Sequence, residues 1–146
     1  MGAVALGRYS SSKMARQTES EWSLPDGAYL FREGEAGNEM FVIQEGQVRI
    51  STRAGEEEIV LATLGRGEFL GEMSLLEGLP RSADARAVGP TQVLVIGQGG
   101  LLMRIRRDPT FAFELMKRLS GRVRNLNARL VEATGPGRHT EAEALP

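Results

Sequence analysis

Residues 67–83 read GEFLGEMSLLEGLPRSA, and this stretch indicates both the architecture and the function of the chain. It opens with glycines and places the carboxylate of Glu72 and the guanidinium of Arg81 at opposite ends of a short loop. Between them, residues 73–77 predict about one helical turn, and the first N–H groups of a helix have no partner within it. We expect these N–H groups to point back toward Gly71.

The residue types in this stretch favour a site for a sugar phosphate. Helix N-termini and glycine-rich loops bind phosphate because several N–H groups converge there without hindrance from side chains. An arginine adds a planar, permanently charged donor for phosphate oxygens, whereas a carboxylate accepts hydrogen bonds from sugar hydroxyls. The alternative is an exposed salt bridge between Glu72 and Arg81, which would contribute about 0–1 kcal/mol.

The same stretch resembles the phosphate-binding cassette of the cyclic-nucleotide-binding domain family, and we call residues 67–83 the cassette. This family includes bacterial catabolite activator proteins, regulatory subunits of cAMP-dependent kinase and cyclic-nucleotide-gated channels. The resemblance extends over residues 24–130, and Gly34 and Gly46 fit two turn glycines of the family. It implies a mainly β protein with some α: a jelly-roll-like β-barrel (double-stranded β-helix) followed by C-terminal helices, including a long amphipathic helix.

The resemblance also assigns roles within the cassette. Glu72 matches the family glutamate that accepts a hydrogen bond from the ribose 2′-hydroxyl, and Arg81 matches the arginine that pairs with the cyclic phosphate. Ser82 matches the small hydroxyl residue that offers its backbone and side chain to the phosphate. Three further residues are expected to line the pocket through backbone and small contacts: Gly71, Met73 and Ala83.

Recognition of the base is expected from the long C-terminal helix, at residues 123–130. This span contains no serine or threonine, whereas hydroxyls in this region contact adenine in the catabolite-activator pattern. We favour cAMP over cGMP as the ligand, and cGMP stays open because Ser82 also permits contact with a guanine in the syn orientation. The polar candidates for base contacts are Asn125, Asn127 and Arg129.

The residues before and after the cassette predict a β-barrel over about residues 24–97. Short apolar runs alternate with glycine turns at intervals typical of a sandwich or barrel. The predicted strands include residues 29–31, 40–43, 48–50, 59–61, 83–88 and 92–96, with turns at Gly46 and at Gly89-Pro90.

The last third of the chain predicts helices over about residues 99–133. Residues 101–105 favour a short helix, and Asp108-Pro109 is typical of a helix start because it offers an N-cap acceptor followed by proline. A long helix is expected from about Pro109 to Glu132. Its apolar residues recur at spacings of three and four and form a stripe: Met116, Leu119, Val123, Leu126 and Leu130.

This stripe has two interpretations. It packs on the barrel of the same molecule, or part of it pairs with the same helix of a second subunit, as in catabolite-activator-like dimers. We favour a homodimer because the stripe continues to Leu130, beyond the reach expected of a small barrel.

Residues 1–23 are predicted to be a flexible leader, residues 24–133 the folded domain and residues 134–146 a disordered tail. The apolar run at residues 3–6 is too short for a signal-peptide core or a membrane span. A cytoplasmic domain is therefore expected.

Composition excludes several classes of site. The sequence has no cysteine, so disulfides and thiolate metal sites are excluded, and its one histidine, His139, falls in the predicted tail. Residues 1–100 carry 9 Lys+Arg against 14 Asp+Glu, whereas residues 101–146 carry 9 against 5. The basic residues are spread around the predicted helix without an aromatic stacking platform, so direct DNA binding is not expected.

Taken together, the residues predict a regulatory sensor that binds a cyclic nucleotide and then changes the position of its C-terminal helix. Its effector would be another protein or a fused domain, since residues after the long helix leave no room for a helix-turn-helix module. The alternative is an adaptor of the same fold that binds a protein and no nucleotide. An enzyme of the cupin type is disfavoured because metal-dependent cupins need clustered histidines, so neither catalysis nor a bound metal is expected.

Overall fold

The structure, a computed structural model, describes residues 19–134. A series of strands, interrupted by one short helix, is followed by two longer helices. The strands are β1 (Glu19–Leu24), β2 (Tyr29–Phe31), β3 (Glu39–Ala54), β4 (Glu57–Leu64), β5 (Phe69–Leu70) and β6 (Asp84–Gly97); the helices are α1 (Glu72–Glu77), α2 (Gln98–Arg107) and α3 (Pro109–Thr134).

Two long strands organise the sheet. The strand order is β1-β6-β3-β4, with β2 also paired to β6 and β5 to β3, and every pair is antiparallel. β3 has 16 residues and β6 has 14, and they pair from Glu39↔Gly97 to Ser51↔Asp84. The sheet thus joins residues far apart in sequence, as a jelly-roll-like barrel requires.

The predicted turns at Gly46 and Gly89 are wrong, because the chain does not reverse at either position. Each glycine lies inside one continuous strand, β3 or β6, although both have positive φ angles of 90° and 75°. The register of β3 against β6 shifts on both sides of Glu45. Such an irregularity bends a ladder without ending it, so glycine here marks a bulge rather than a turn.

β1 begins at Glu19, inside the segment predicted as a leader. Its six residues pair with β6, from Glu19↔Ile96 to Leu24↔Thr91. Trp22 meets Phe41 edge to face with ring centroids 5.5 Å apart. The barrel therefore starts before residue 24, while residues 1–18 of the predicted leader and residues 135–146 of the predicted tail lie outside the described residues.

The main core cluster takes alternate positions of β3 and β6, such as Phe41 and Ile43, while Met40 and Ile96 are buried outside that cluster. Alternation places one set of side chains of each strand on the inner face of the sheet. The largest apolar side chains that are almost fully buried are Phe41, Met40, Ile43, Ile96, Val48 and Val93.

The start of α3 follows the prediction. The Asp108 carboxylate accepts a hydrogen bond from the Thr110 N–H at 3.2 Å, which is the N-cap role expected before Pro109. α3 ends at Thr134. α2 begins at Gln98, earlier than predicted, so Gly99 and Gly100 belong to its first turn.

The described residues divide into two compact units, the first ending at Met103 and the second beginning at Arg104. In the second unit, four residues of the predicted stripe are 55–61% exposed: Met116, Val123, Leu126 and Leu130. Within residues 19–134, no helix is both long and apolar enough to cross a membrane.

Candidate functional site

The cassette is fixed to the barrel through β3. β5 pairs with β3 at Phe41↔Leu70 and Val42↔Phe69. Just before it, the Gly67 N–H donates to the Ile43 carbonyl at 2.8 Å. Because Phe41 and Leu70 are both buried in the core, the first half of the cassette cannot shift without disturbing the barrel.

Gly71, at the turn from β5 into α1, must be glycine for two reasons. Its φ of 85° lies in the left-handed region, which side chains disfavour. A Cβ there would also lie 2.9 Å from Nη1 of Arg81 and 3.0 Å from the Glu39 carbonyl oxygen. The turn thus brings the backbone directly against the predicted phosphate-binding arginine.

α1 is the short helix that the sequence predicts, with one additional residue. It begins at Glu72 and ends at Glu77, where Gly78 adopts a left-handed conformation and its N–H donates to the Ser74 carbonyl at 3.0 Å. Gly71 provides no side chain to cap the first N–H groups. These groups and the carboxylate of Glu72 therefore lie together at the start of the helix.

Arg81 is held inside the site by neutral groups. The residue is only 5% exposed, and its Nη1 donates to the carbonyl oxygens of Glu39 and Gly71 at 2.9 and 3.3 Å. Its guanidinium carbon lies 4.3 Å from the centre of the Phe31 ring. Among the described residues, its buried Nε has no hydrogen-bond partner.

Burial of the guanidinium has an electrostatic consequence. Desolvation lowers the pKa of Arg81, and the carboxylates of Glu39 and Glu35 oppose that shift. An arginine pKa starts so high that the side chain stays charged at neutral pH. The site therefore holds a permanent cation whose direct hydrogen-bond acceptors are uncharged carbonyls, an arrangement that favours an anion nearby.

The backbone of Arg81 is held by the loop between β2 and β3, residues 32–38. The Gly34 N–H donates to the Arg81 carbonyl at 2.8 Å, and the Arg81 N–H donates to the Glu35 carbonyl at 2.9 Å. Sequence reasoning identified Gly34 as a turn glycine but did not connect this loop with the cassette. The signal was present only as a second glycine, Gly37, three residues later.

The other predicted cassette residues differ in exposure. Glu72 is half-buried, and its Oε1 atom is shielded from solvent. Met73 is 43% exposed and Ser82 is exposed, so both are accessible at the surface of the cassette. Ala83 is buried immediately before β6. Their roles in binding remain predictions.

The predicted base contacts belong to the second unit. Asn125, Asn127 and Arg129 are exposed positions on α3. Their contact with a base stays a prediction. Within residues 19–134, no cluster of three or more histidine, cysteine, aspartate or glutamate side chains could hold a metal ion.

Residues 21–108 match the model of the cyclic nucleotide-binding domain. The chain belongs to this family. The predicted resemblance is thus confirmed for the greater part of the chain, and the site described above coincides with the stretch on which that resemblance was based.

Individual relatives agree with this membership. The cyclic AMP receptor protein of Thermus thermophilus is 39% identical over 107 residues, which are 73% of this chain and 50% of that protein. The crystal structure of the catabolite activator protein of T. thermophilus aligns with a TM-score of 0.70 at 36% identity, covering 80% of this chain and 55% of that chain. The predicted fold, a β-barrel with C-terminal helices including a long one, is confirmed.

A eukaryotic relative shares the same domain. The cAMP-dependent protein kinase regulatory subunit of Yarrowia lipolytica is 36% identical over 95 residues, or 65% of this chain and 24% of that protein. The chain therefore spans between about a quarter and a half of the length of these curated relatives.

Proposed function

We propose that this chain is a regulatory domain that binds a cyclic nucleotide at the cassette. Arg81 would pair with the cyclic phosphate and Glu72 would accept a hydrogen bond from the ribose 2′-hydroxyl. The observation that carries the proposal is the buried guanidinium of Arg81, which is fixed to the Gly71 carbonyl and retains a buried, unpartnered Nε donor within the described structure.

The energetics of the site support an anionic ligand. A buried cation loses its hydration, and neutral carbonyls restore only part of that loss. A phosphate would supply full opposite charge and two oxygens that match the fork of donors on a guanidinium. α1 begins directly after Gly71, whose carbonyl accepts from Arg81, and its first N–H groups have no side-chain cap, so they would be further donors for the anion.

The named relatives support the choice of a cyclic nucleotide over other sugar phosphates. One is called a cyclic AMP receptor protein and another a regulatory subunit of a cAMP-dependent kinase. We infer that cAMP binds more tightly than cGMP. The domain would bind the nucleotide without converting it, so the ligand should be recovered unchanged after incubation.

We further propose that ligand binding changes the position of α3. α2 ends at Arg107 and α3 begins at Pro109, so Asp108 is the residue at which the backbone could bend to let α3 move. A ligand shifts such an equilibrium only as far as it prefers one arrangement over the other. The moved helix would present a different surface to an effector protein or a fused domain.

Thermal unfolding in the presence of a panel of nucleotides tests the proposal. Saturating cAMP should raise the melting temperature, because a ligand at 100 times its dissociation constant stabilises the folded state by about 2.7 kcal/mol. Linear 5′-AMP is the matched control and should have a much smaller effect. If neither cAMP nor cGMP stabilises the protein, the proposed function is wrong and the adaptor alternative becomes the better explanation.

A further inference from the structure

The loop of residues 32–38 closes on the guanidinium of Arg81, and Gly37 is its point of closest approach. A Cβ on Gly37 would lie 2.4 Å from both Nε and Nη2 and 2.5 Å from Cζ. Such distances are shorter than real Cβ atoms show, and the guanidinium is held in place by Glu39 and Gly71. An alanine at position 37 would therefore have to displace either the loop or the arginine.

Gly37 is not required for the conformation of its own backbone. Its φ is not in the left-handed region, unlike that of Gly34 in the same loop, which is 88°. Conversely, a Cβ on Gly34 would meet nothing within 4 Å. The two glycines thus serve different purposes: Gly34 permits the turn, and Gly37 leaves room for Arg81.

Gly37 approaches the Nε, Cζ and Nη2 atoms of the guanidinium most closely, and not Nη1. Nη1 donates to Glu39 and Gly71, while Nε and Nη2 form the side next to Gly37. Nε and Nη2 together make the fork that binds two oxygens of one anion. A Cβ at 2.4 Å would be nearer to both nitrogens than a hydrogen-bonded oxygen, whose usual distance is about 2.7–2.9 Å.

The first part of the loop is attached to Arg81 and to β6 by hydrogen bonds. Its backbone pairs with both the N–H and the carbonyl of Arg81, at Glu35 and Gly34 respectively. The Glu33 N–H donates to Oδ1 of Asp84, at the start of β6, at 2.7 Å. These bonds fix residues 33–35 beside Arg81, and a Cβ on Gly37 is expected to displace the guanidinium, which is the end of a side chain, more readily than this part of the loop.

We propose that Gly37 is a positioning residue for Arg81, and that its missing side chain leaves room for the guanidinium to lie where Nη1 reaches the carbonyls of Glu39 and Gly71. The effect on affinity rests on the proposed function. The effect on the arginine itself does not, because it follows from the contacts of Gly37 alone.

The test compares Gly37→Ala with Gly65→Ala. Gly65 is also a loop glycine outside the left-handed region, and a Cβ there would meet nothing within 4 Å. By calorimetric titration with cAMP, Gly37→Ala should lose at least about tenfold in affinity, since a hydrogen bond to a charged group contributes at least that much. Gly65→Ala should bind like the parent.

A double-mutant cycle separates positioning from a general effect on the fold. Arg81→Lys keeps a positive charge but lacks the fork, so affinity falls while remaining measurable. Adding Gly37→Ala to Arg81→Lys should cause little further loss, because the crowded atoms are gone. An equal loss from Gly37→Ala in both backgrounds would overturn the inference.

A second readout needs no nucleotide. The NMR resonance of the Arg81 Nε–H reports burial directly, and its hydrogen exchange should be slow in the parent and in Gly65→Ala but markedly faster in Gly37→Ala. If the parent binds no cyclic nucleotide, the proposed function fails and this readout still decides the role of Gly37. Unchanged exchange in Gly37→Ala would refute that role even if affinity falls.

Discussion

At the scale of single residues, Arg81 joins the parts of the site. Its guanidinium contacts the turn before α1 through Gly71, the first residue of β3 through Glu39, and the ring of Phe31 in β2. A change in the position of this one side chain would therefore be transmitted to three segments of the chain. Its hydrogen-bond acceptors are carbonyls, and the carboxylates of Glu39 and Glu35 act on it through coulombic attraction, so a bound anion would add a directly bonded charged partner.

Glu72 has a role that can be isolated chemically. If its carboxylate accepts a hydrogen bond from the ribose, Glu72→Gln should weaken binding of cAMP by roughly tenfold, because hydrogen bonds to charged groups are the stronger ones. Binding of 2′-deoxy-cAMP, which lacks that hydroxyl, should be nearly the same in parent and variant. Calorimetric titration of both ligands measures this, and equal losses for the two would rule out the ribose contact.

The sequence predicts which residues of the cassette lie together better than it predicts what surrounds them, and their roles in binding stay predictions. Arg81 and Gly71 could be predicted because a motif of fixed spacing contains them. Phe31, Gly37 and Glu39 could not, because they reach Arg81 through tertiary contacts across more than 40 residues of sequence. A local sequence pattern does not show that the loop of residues 32–38 contacts the side chain of Arg81.

At the scale of elements, β3 and β6 show that a glycine between two apolar runs does not always mark a turn. Gly46 and Gly89 interrupt the apolar alternation, so the sequence predicts two separate strands, one on each side of each glycine. A bulge and a turn need the same backbone freedom from glycine, and only pairing with the neighbouring strand distinguishes them. The helix start at Asp108 and Pro109 was predictable because capping depends on adjacent residues.

Gly46, inside β3, has neither the backbone conformation nor the space for a side chain. It has a φ of 90°, and a Cβ there would lie 2.5 Å from the Pro90 carbonyl oxygen and 2.6 Å from Oγ1 of Thr91. Gly46→Ala should lower the free energy of unfolding by about 3 kcal/mol, through backbone strain and overpacking.

Gly55→Ala is the control for backbone strain alone. Gly55 has a φ of 69° and open space around its Cβ position, so its substitution should cost about 1 kcal/mol. Denaturant unfolding measures both variants. Equal losses would show that contact with β6 contributes nothing at Gly46.

At the scale of the whole molecule, charge and exposed apolar surface are unevenly distributed. Residues 1–100 carry an excess of acidic side chains and residues 101–146 an excess of basic ones. The apolar stripe of α3 is exposed, with Leu126 at 61%. Both features are consistent with a helix that meets a partner, and the predicted homodimer through this helix stays a prediction.

The central claim is that Arg81 binds the phosphate of a cyclic nucleotide. Calorimetric titration of the parent, of Arg81→Ala and of Arg66→Ala with cAMP tests it most directly, since Arg66 is an exposed arginine on the loop before β5. Arg81→Ala should lose about a hundredfold or more in affinity, because two charge-assisted hydrogen bonds are removed, while Arg66→Ala should match the parent. Equal affinity of Arg81→Ala and the parent would contradict the claim.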